Sequence, residues 1–207
     1  MDTEVRIFLV DDEPDVTRGL SWLLESVGLR AQGFGEALLF LDALGHCPGP
    51  ACAVLDLRMP GLSGLEIMER LVGQRPDIPI VFLSAHGDVP SAVRAMKLGA
   101  FDFLQKPFNP QQFLDCIQRA RRQAVERHAD WLRRRDFDAC LARLSARERQ
   151  VLDHMLDGGS SKEIGRALGI SPKTVDVHRA NILRKLEVPN ARQLTSRFRA
   201  AVPAREA

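Results

Sequence analysis

The sequence predicts an α/β protein in which a doubly wound, five-stranded parallel sheet is followed by a small all-α domain. Over roughly the first 120 residues, short apolar runs alternate five times with helical apolar patterns. This alternation is typical of a parallel sheet with helices on both faces. From residue 143 onward the strand-like runs stop, and short helical patterns with capping residues follow one another.

Each predicted strand is a short run rich in apolar residues. The first strand, residues 5–10, has one charged residue, and the third, residues 51–55, has none. The other three are residues 29–34, 80–83 and 101–104. Right-handed crossovers between such strands restrict the topology to a doubly wound sheet, whose functional sites lie at the carboxyl ends of the strands.

Helical patterns fill the intervals between these strands. Pro14 is placed to open the first helix, because proline is favoured in the first turn. The later helices are indicated by apolar residues three or four positions apart. They fall in segments 38–44, 65–72, 89–98 and 113–124.

Four short helices are predicted after residue 143. Ser145 and Ser160 each begin a capping box, with glutamate three residues later. Ser171 precedes a proline and Asn190 precedes a helical pattern, so both are expected to cap helices.

A helical linker is predicted between the two parts, because no glycine or proline occurs from residue 111 to 157. The predicted boundaries are 1–122 for the α/β domain, 123–142 for the linker and 143–207 for the helical domain.

Charge is unevenly distributed, although the formal net charge is only +2. Residues 1–118 hold 9 basic and 16 acidic residues, whereas residues 143–207 hold 13 basic and 7 acidic residues. A basic second domain suggests a polyanionic partner, and chance surface composition is the alternative explanation.

The cysteines and the apolar segments bear on the compartment. None of the four cysteines forms a CxxC pair, so we expect reduced, buried thiols. No stretch resembles a signal peptide or a membrane-spanning segment. We therefore expect a cytoplasmic protein that does not span a membrane.

Acidic side chains follow two predicted strands that should be neighbours. Asp11 and Asp12 follow the first strand, and Asp56 follows the third. Ser84 and Lys106 follow the fourth and fifth strands and should reach the same edge of the sheet. Three carboxylates close together repel one another and favour a divalent cation such as Mg²⁺.

With Mg²⁺ bound, one carboxylate could attack a phosphoryl donor as a nucleophile. The metal and Lys106 would offset the charge of the transferring group, and the Ser84 hydroxyl would donate to phosphate. Each residue alone could instead be a turn or cap residue. It is the combination after four strands that favours a phosphoryl site.

Residues 5–122 resemble the receiver domain of two-component response regulators. Four stretches carry the resemblance: 10–13 (VDDE), 55–61 (LDLRMPG), 83–87 (LSAHG) and 106–108 (KPF). The receiver fold is flavodoxin-like, which agrees with the predicted sheet.

This resemblance implies that Asp56 is the phosphoacceptor and that a sensor histidine kinase donates the phosphate. Lys106 would pair with the phosphoryl group, and the peptide bond to Pro107 would be cis. Asp12 would be the more direct metal ligand, with Asp11 acting mainly through a metal-bound water. The implied Mg²⁺ ligands are Asp11, Asp12, Asp56 and the backbone carbonyl oxygen of Arg58.

The resemblance also implies a switch. On phosphorylation the Ser84 hydroxyl moves towards the phosphate, and the Phe103 ring turns into the vacated space. The face formed by residues 89–105 then repacks, and this face is commonly a dimerisation surface. Phe103 lacks a phenol, so it can report by packing only; an ordinary core aromatic is the alternative.

Residues 145–200 resemble the output domain of the FixJ/NarL/LuxR family, and the whole chain is most like FixJ-type regulators. The matching stretches are 144–152, 162–171, 174–179 and 182–186. The resemblance implies a helix-turn-helix whose second helix enters the major groove of double-stranded promoter DNA.

The outer face of that second helix supplies the expected DNA contacts. Asp176, Val177 and Ala180 are expected to meet base edges. Asn181 lies on the same face, and His178 is either a phosphate contact or a packed helix residue. The expected phosphate contacts are Lys162, Lys173, Thr174, Arg179 and Arg184. A solvated basic face is the alternative.

We therefore expect a phosphorylation-gated transcriptional regulator rather than an enzyme. It would bind promoter DNA as a phosphorylation-dependent homodimer and act as an activator, with RNA polymerase as a further partner. Two alternatives are a metal-dependent phosphatase or phosphotransferase, and a DNA- or protein-binding module that does not need phosphorylation.

Overall fold

The structure, a computed structural model, describes residues 4–85 and 89–201. The chain divides into two units, Met1–Trp131 and Leu132–Ala207. Within the described residues, no helix is both long enough and apolar enough to cross a membrane.

Five parallel strands form the centre of the first unit, in the order β2-β1-β3-β4-β5. This confirms the doubly wound sheet that the sequence predicts, with the first and third strands as neighbours. The strands are β1 (Arg6–Val10), β2 (Ala31–Phe34), β3 (Ala51–Asp56), β4 (Ile80–Ser84) and β5 (Asp102–Gln105).

Helices connect the strands, and the first begins at Pro14 as predicted. The third has a capping box that the sequence analysis did not single out, in which Ser63 and Glu66 each accept from the other's backbone N–H. The helices that begin in the first unit are α1 (Pro14–Glu25), α2 (Ala37–Gly45), α3 (Gly64–Gln74), α4 (Val89–Lys97) and α5 (Pro110–Ala142), the last of which continues past Trp131.

The two faces of the sheet form separate apolar cores. On one face, Phe40 of α2 and Ile67 of α3 belong to the cluster that covers Phe8 and Phe82. On the other face, helices α1 and α5 pack against the sheet in a second cluster, which includes Phe113. All six residues of β3 are buried, so this strand first approaches solvent at its carboxyl end.

Helix α5 is 33 residues long and runs through the whole predicted linker. At 1.5 Å per residue it is about 50 Å in length. A continuous helix is the structure that a segment without glycine or proline favours. The predicted boundaries at residues 122 and 142 stay predictions; the structure itself divides after Trp131.

Four short helices follow in the second unit, as the sequence predicts. Ser145 and Ser160 form the expected capping boxes, and the Asn190 side chain accepts a hydrogen bond from the Gln193 N–H at 2.9 Å. The helices are α6 (Ala146–Leu156), α7 (Ser161–Leu168), α8 (Pro172–Lys185) and α9 (Ala191–Ala201).

A buried ion pair joins α6 to α8. Lys185 Nζ donates to Glu148 Oε2 at 2.6 Å, and the Ser145 N–H donates to the same oxygen at 2.8 Å. These hydrogen bonds, that of Lys185 above all, lower the pKa of Glu148 from 4.5 to about 2 although burial opposes the shift. Glu148 therefore caps its own helix and holds a second helix against it.

Three thiols lie in the apolar cores of the first unit, those of Cys47, Cys52 and Cys116. Cys52 of β3 and Cys116 of α5 are fully buried, and all four cysteines are free. Burial raises the pKa of each of these two thiols to about 12. The reduced, buried state expected from the sequence therefore describes Cys47, Cys52 and Cys116.

We expect Glu148→Gln to destabilise the second unit by about 2 kcal/mol at pH 7. Because the pKa of Glu148 is lower in the folded state, its ionised form stabilises the fold above pH 4.5, and this contribution is lost as the pH falls towards 2. Urea unfolding followed by circular dichroism should show the difference between variant and wild type shrinking across that range.

Glu163→Gln is the matched control, because Glu163 occupies the equivalent position of the α7 capping box but is exposed. It should change stability little at any pH. Equal, pH-independent effects of the two substitutions would contradict the role assigned to the Glu148–Lys185 pair.

Candidate phosphoacceptor site and nucleic-acid interface

The carboxyl edge of the sheet brings three predicted site residues together. Asp11 follows β1, Asp56 ends β3 and Lys106 follows β5. Lys106 Nζ donates to Asp11 Oδ2 at 2.6 Å and to Asp56 Oδ1 at 3.0 Å. One ammonium thus bridges two carboxylates that come from neighbouring strands.

The backbone fixes the other oxygen of each carboxylate. Asp56 Oδ2 accepts from the Arg58 N–H at 2.8 Å, and Asp11 Oδ1 accepts from the Glu13 N–H at 3.0 Å. Asp11 is 1% exposed and Asp56 7% exposed. Both carboxylates are therefore held in place, with Asp56 the more accessible of the two.

Lys106 is positioned by its own backbone as well as by its charge. Its N–H donates to the Ser84 carbonyl oxygen at 2.7 Å, and the Lys106–Pro107 peptide bond is cis, as expected. Burial alone would lower the pKa of Lys106, but its hydrogen bonds to Asp11 and Asp56 outweigh burial and raise it. The residue is therefore a cation throughout the physiological range.

The metal ligands are placed only in part. Asp11 and Asp56 meet at Lys106, whereas Asp12 is exposed. Over residues 4–85 and 89–201, no three His, Cys, Asp or Glu side chains gather closely enough to hold a metal ion. The participation of Asp12 and of the Arg58 carbonyl oxygen stays a prediction.

Gly64 is a site residue that the sequence analysis missed. A Cβ atom at this position would collide with the Asp56 carbonyl oxygen and lie 2.9 Å from the Phe82 ring. The Gly64 N–H also donates to the Leu57 carbonyl oxygen at 3.2 Å. Glycine has a low helix propensity, so its presence in the first turn of a helix was the sequence signal for a position where a side chain does not fit.

The two predicted switch residues lie on the neighbouring strands. Ser84 is buried at the end of β4. Phe103 is half-buried on β5, opposite Phe82 in register, and packs against the core cluster that includes Phe82. His86 and Gly87 of the matching motif lie outside the described residues.

A tight turn joins α7 to α8 in the second unit. Gly169 ends α7 with φ of 66°, and Ser171 caps α8 by accepting from the Thr174 N–H at 3.0 Å. A Cβ atom on Gly165 would lie 2.7 Å from the Ile170 carbonyl oxygen, so the turn passes close to α7. This close approach is typical of a helix-turn-helix.

Helix α8 presents a stripe of solvent-exposed residues. Lys173, Val177, Ala180 and Arg184 are exposed at spacings of three and four, and Val177 is 56% exposed. The opposite face of α8 packs in the core, as predicted. Among the other predicted contacts, Lys162, Thr174 and Asp176 are exposed, and His178, Arg179 and Asn181 are half-buried.

Several predicted DNA contacts also bind other groups of the domain. Asp176 Oδ1 accepts from the Ser161 hydroxyl at 2.6 Å, and Arg179 Nη1 donates to the Gly159 carbonyl oxygen at 3.2 Å. Arg179 thus helps to hold α8 against the turn before α7.

Two family models match the chain. The response regulator receiver domain matches residues 7–118, and the bacterial regulatory proteins of the luxR family match residues 142–198. The two matches cover most of the chain and correspond to the sheet with its helices and to the helical domain.

Individual proteins match over most of the chain. The transcriptional regulatory protein FixJ of Bradyrhizobium diazoefficiens is 42% identical over 196 residues, covering 94% of this chain and 94% of that protein. The structure of the response regulator StyR has a TM-score of 0.68 and 41% identity, covering 94% of this chain and 98% of StyR. The beryllofluoride-activated NtrC4 receiver domain dimer has a TM-score of 0.54 and 32% identity, covering 57% of this chain and 98% of that one.

Receiver domains of this kind generally bind Mg²⁺ at the phosphorylation site, and a receiver joined to a DNA-binding domain implies a kinase and DNA as partners. The chain therefore belongs to the FixJ/NarL/LuxR family of two-component response regulators, is similar to FixJ over nearly its whole length, and is a phosphorylation-regulated transcriptional regulator.

Proposed function

We propose that Asp56 accepts a phosphoryl group from a sensor histidine kinase, and that the phosphorylated chain binds promoter DNA as a homodimer and activates transcription with RNA polymerase. The observation that carries this proposal is the bridge from Lys106 to Asp11 and Asp56. It places a cation beside Asp56, the more accessible of the two carboxylates that are held at this edge.

The transfer step follows from these positions. An Asp56 oxygen forms the new bond to phosphorus as the phosphorus–nitrogen bond to the kinase histidine breaks, and the histidine leaves with the bonding electron pair. Lys106 Nζ lies 3.0 Å from Asp56 Oδ1, beside the carboxylate that would receive the negatively charged phosphoryl group. Its ammonium would stabilise the incoming phosphoryl oxygens.

The kinds of oxygen donor at this edge of the sheet suit Mg²⁺. Asp11 and Asp56 already share one cation through their oxygens, and carboxylate and carbonyl oxygens are the ligands that Mg²⁺ prefers. Asp11, Asp12, Asp56 and the Arg58 carbonyl oxygen would hold it. The ion, when bound, would supply positive charge to the phosphoryl oxygens.

The proposed dimer would use the face formed by residues 89–105. Val89, Val93 and Met96 of α4 are exposed there, and exposed apolar side chains that cluster on one face favour association. The NtrC4 receiver, described as activated and dimeric, supports dimerisation of an activated receiver. Ser84 and Phe103 would couple phosphorylation to this face.

We propose no turnover of a separate substrate. In an enzyme acting on phosphomonoesters, Asp56 would be a catalytic nucleophile and the basic second unit would have no part. Hydrolysis of a phosphomonoester that persists when the second unit is removed would favour that alternative.

Asp56→Ala should abolish phosphate incorporation from acetyl phosphate in the presence of Mg²⁺, because the accepting oxygen is lost. The wild-type chain should gain at least tenfold in affinity for its DNA site on phosphorylation, and the variant should not. Mass spectrometry and a DNA-binding titration on the same samples measure both. Asp42→Asn, which alters an exposed aspartate of α2, is the control; labelling of Asp56→Ala at the wild-type level would exclude Asp56 as the acceptor.

Lys106→Met should lower stability in metal-free buffer by about 2 kcal/mol, because Asp11 and Asp56 lose the cation between them. Mg²⁺ should therefore raise the melting temperature more in this variant than in the wild type. Adding Asp12→Asn should weaken the Mg²⁺ effect. Lys97→Met, at an exposed lysine of α4, should behave as wild type; a Lys106→Met variant insensitive to Mg²⁺ would argue against a metal at these carboxylates.

Lys173→Ala should weaken DNA binding similarly for all sequences and reduce the salt dependence by about one counterion. Val177→Ala should instead relax base preference at one position, because a methyl contact in the groove is lost. Binding-site selection and salt titrations separate the two effects. Arg149→Ala, at an exposed cation of α6, should change neither the strength of DNA binding nor the base preference. If Arg149→Ala weakened DNA binding as much as Lys173→Ala does, α8 would have no special part in DNA recognition.

A further inference from the structure

The segment 119–141 lies between the two family models, which match residues 7–118 and 142–198. It contains two members of a cluster built around the buried side chains of Asp77 and His128. We call this cluster the helix anchor; it consists of Arg75, Asp77, His128 and Trp131, all in the first unit.

Arg75 and Asp77, two positions apart in the sequence, form the ion pair of the helix anchor. Arg75 Nε and Nη2 donate to the two oxygens of Asp77 at 2.9 and 3.0 Å. The Asp77 side chain is fully buried. Burial alone would raise the pKa of Asp77, but hydrogen bonds from Arg75 and His128 outweigh it and lower it.

Helix α5 supplies the other two members. His128 Nδ1 lies 2.7 Å from Asp77 Oδ2. The Trp131 ring lies 5.5 Å from the His128 ring, and the Arg75 guanidinium carbon lies 4.9 Å from the centre of the Trp131 ring. One turn of α5 is therefore held to the segment before β4 by a hydrogen bond and a cation–π contact, while its two rings contact each other.

The helix anchor lies just beyond the last residues of α5 that pack in the apolar core of the first unit. Ala120 and Ala124 are the last residues of α5 in the apolar core of the first unit. Among the described residues, none of α5 beyond Ala124 belongs to this apolar core, and apolar packing is what stabilises most helices in proteins. A polar network whose members are all paired rigidifies what it joins.

The same cluster touches the starts of two strands. Arg75 donates to the carbonyl oxygens of Cys47 and Gly49 at 3.0 and 3.4 Å, just before β3 begins. Asp77 precedes β4. The opposite ends of β3 and β4 carry Asp56 and Ser84, so two buried strands separate the phosphoacceptor edge from the helix anchor.

We propose that the helix anchor makes residues 119–131 a rigid part of the receiver and that this segment carries the phosphorylation state of the receiver to the DNA-binding domain. The first half stands on the contacts above. The second half rests on the proposed function, because it requires DNA affinity to depend on phosphorylation.

Hydrogen exchange of the full-length chain tests the first half. His128→Leu removes the hydrogen bond to Asp77 at similar volume, and amides of residues 125–131 should exchange at least tenfold faster. His128→Gln, whose amide can still donate to Asp77, should retain most of the protection. Glu126→Gln, an exposed position two residues away, is the matched control and should exchange as the wild type does.

The second half is tested by phosphorylation and DNA binding of the same variants. His128→Leu should incorporate phosphate at Asp56 normally, keep the DNA affinity of the unphosphorylated chain, and lose at least threefold of the gain on phosphorylation. Trp131→Leu, at a half-buried position, should act in the same direction and serves if His128→Leu does not fold.

Unchanged exchange in both leucine variants would overturn the helix anchor. If the amides of the leucine variants exchange faster but these variants keep the full gain in DNA affinity on phosphorylation, the coupling role of the helix anchor would be overturned. A wild-type chain whose DNA affinity ignores phosphorylation would contradict the proposed function and the coupling together, while the exchange data would still decide the first half.

Discussion

The first unit depends on a single ammonium group shared by two carboxylates. Asp11 and Asp56 come from adjacent strands and would repel each other at the distances that Lys106 spans. Lys106 reaches them from the loop after the edge strand β5. The strand order places these loops on one edge of the sheet, and the bridge from Lys106 to the two carboxylates fixes them there. The same ion pairs therefore hold this edge together and position the groups of the site.

The same requirement recurs wherever this protein buries a carboxylate. Asp77 is paired with Arg75 and His128, and Glu148 with Lys185. A buried charge is tolerated only when it is paired and hydrogen-bonded. Asp77 binds His128 of α5 and Glu148 binds Lys185 of α8, so these two carboxylates hold α5 against the segment before β4 and α8 against α6, in addition to the apolar contacts.

Local patterns were sufficient for most of the fold and for part of the site. Five apolar runs predicted five strands, and the polar residues that end them predicted the meeting of Asp11, Asp56 and Lys106. The boundary of β3 shifted by one residue, so that Asp56 is its last residue. His128 and Lys185 were missed because their partners lie 51 and 37 positions away, and no local spacing encodes such a pairing.

The buried thiols of Cys52 and Cys116 have a consequence for chemical labelling. With a pKa of about 12, roughly one such thiol in 100,000 is ionised at pH 7, and only the thiolate reacts readily. Alkylating agents and peroxide therefore meet these sulfurs mainly in molecules that have opened. Cys52 lies in the strand that ends at Asp56, and Cys116 lies in α5. The rate at which these two thiols are alkylated therefore reports how often the receiver core opens.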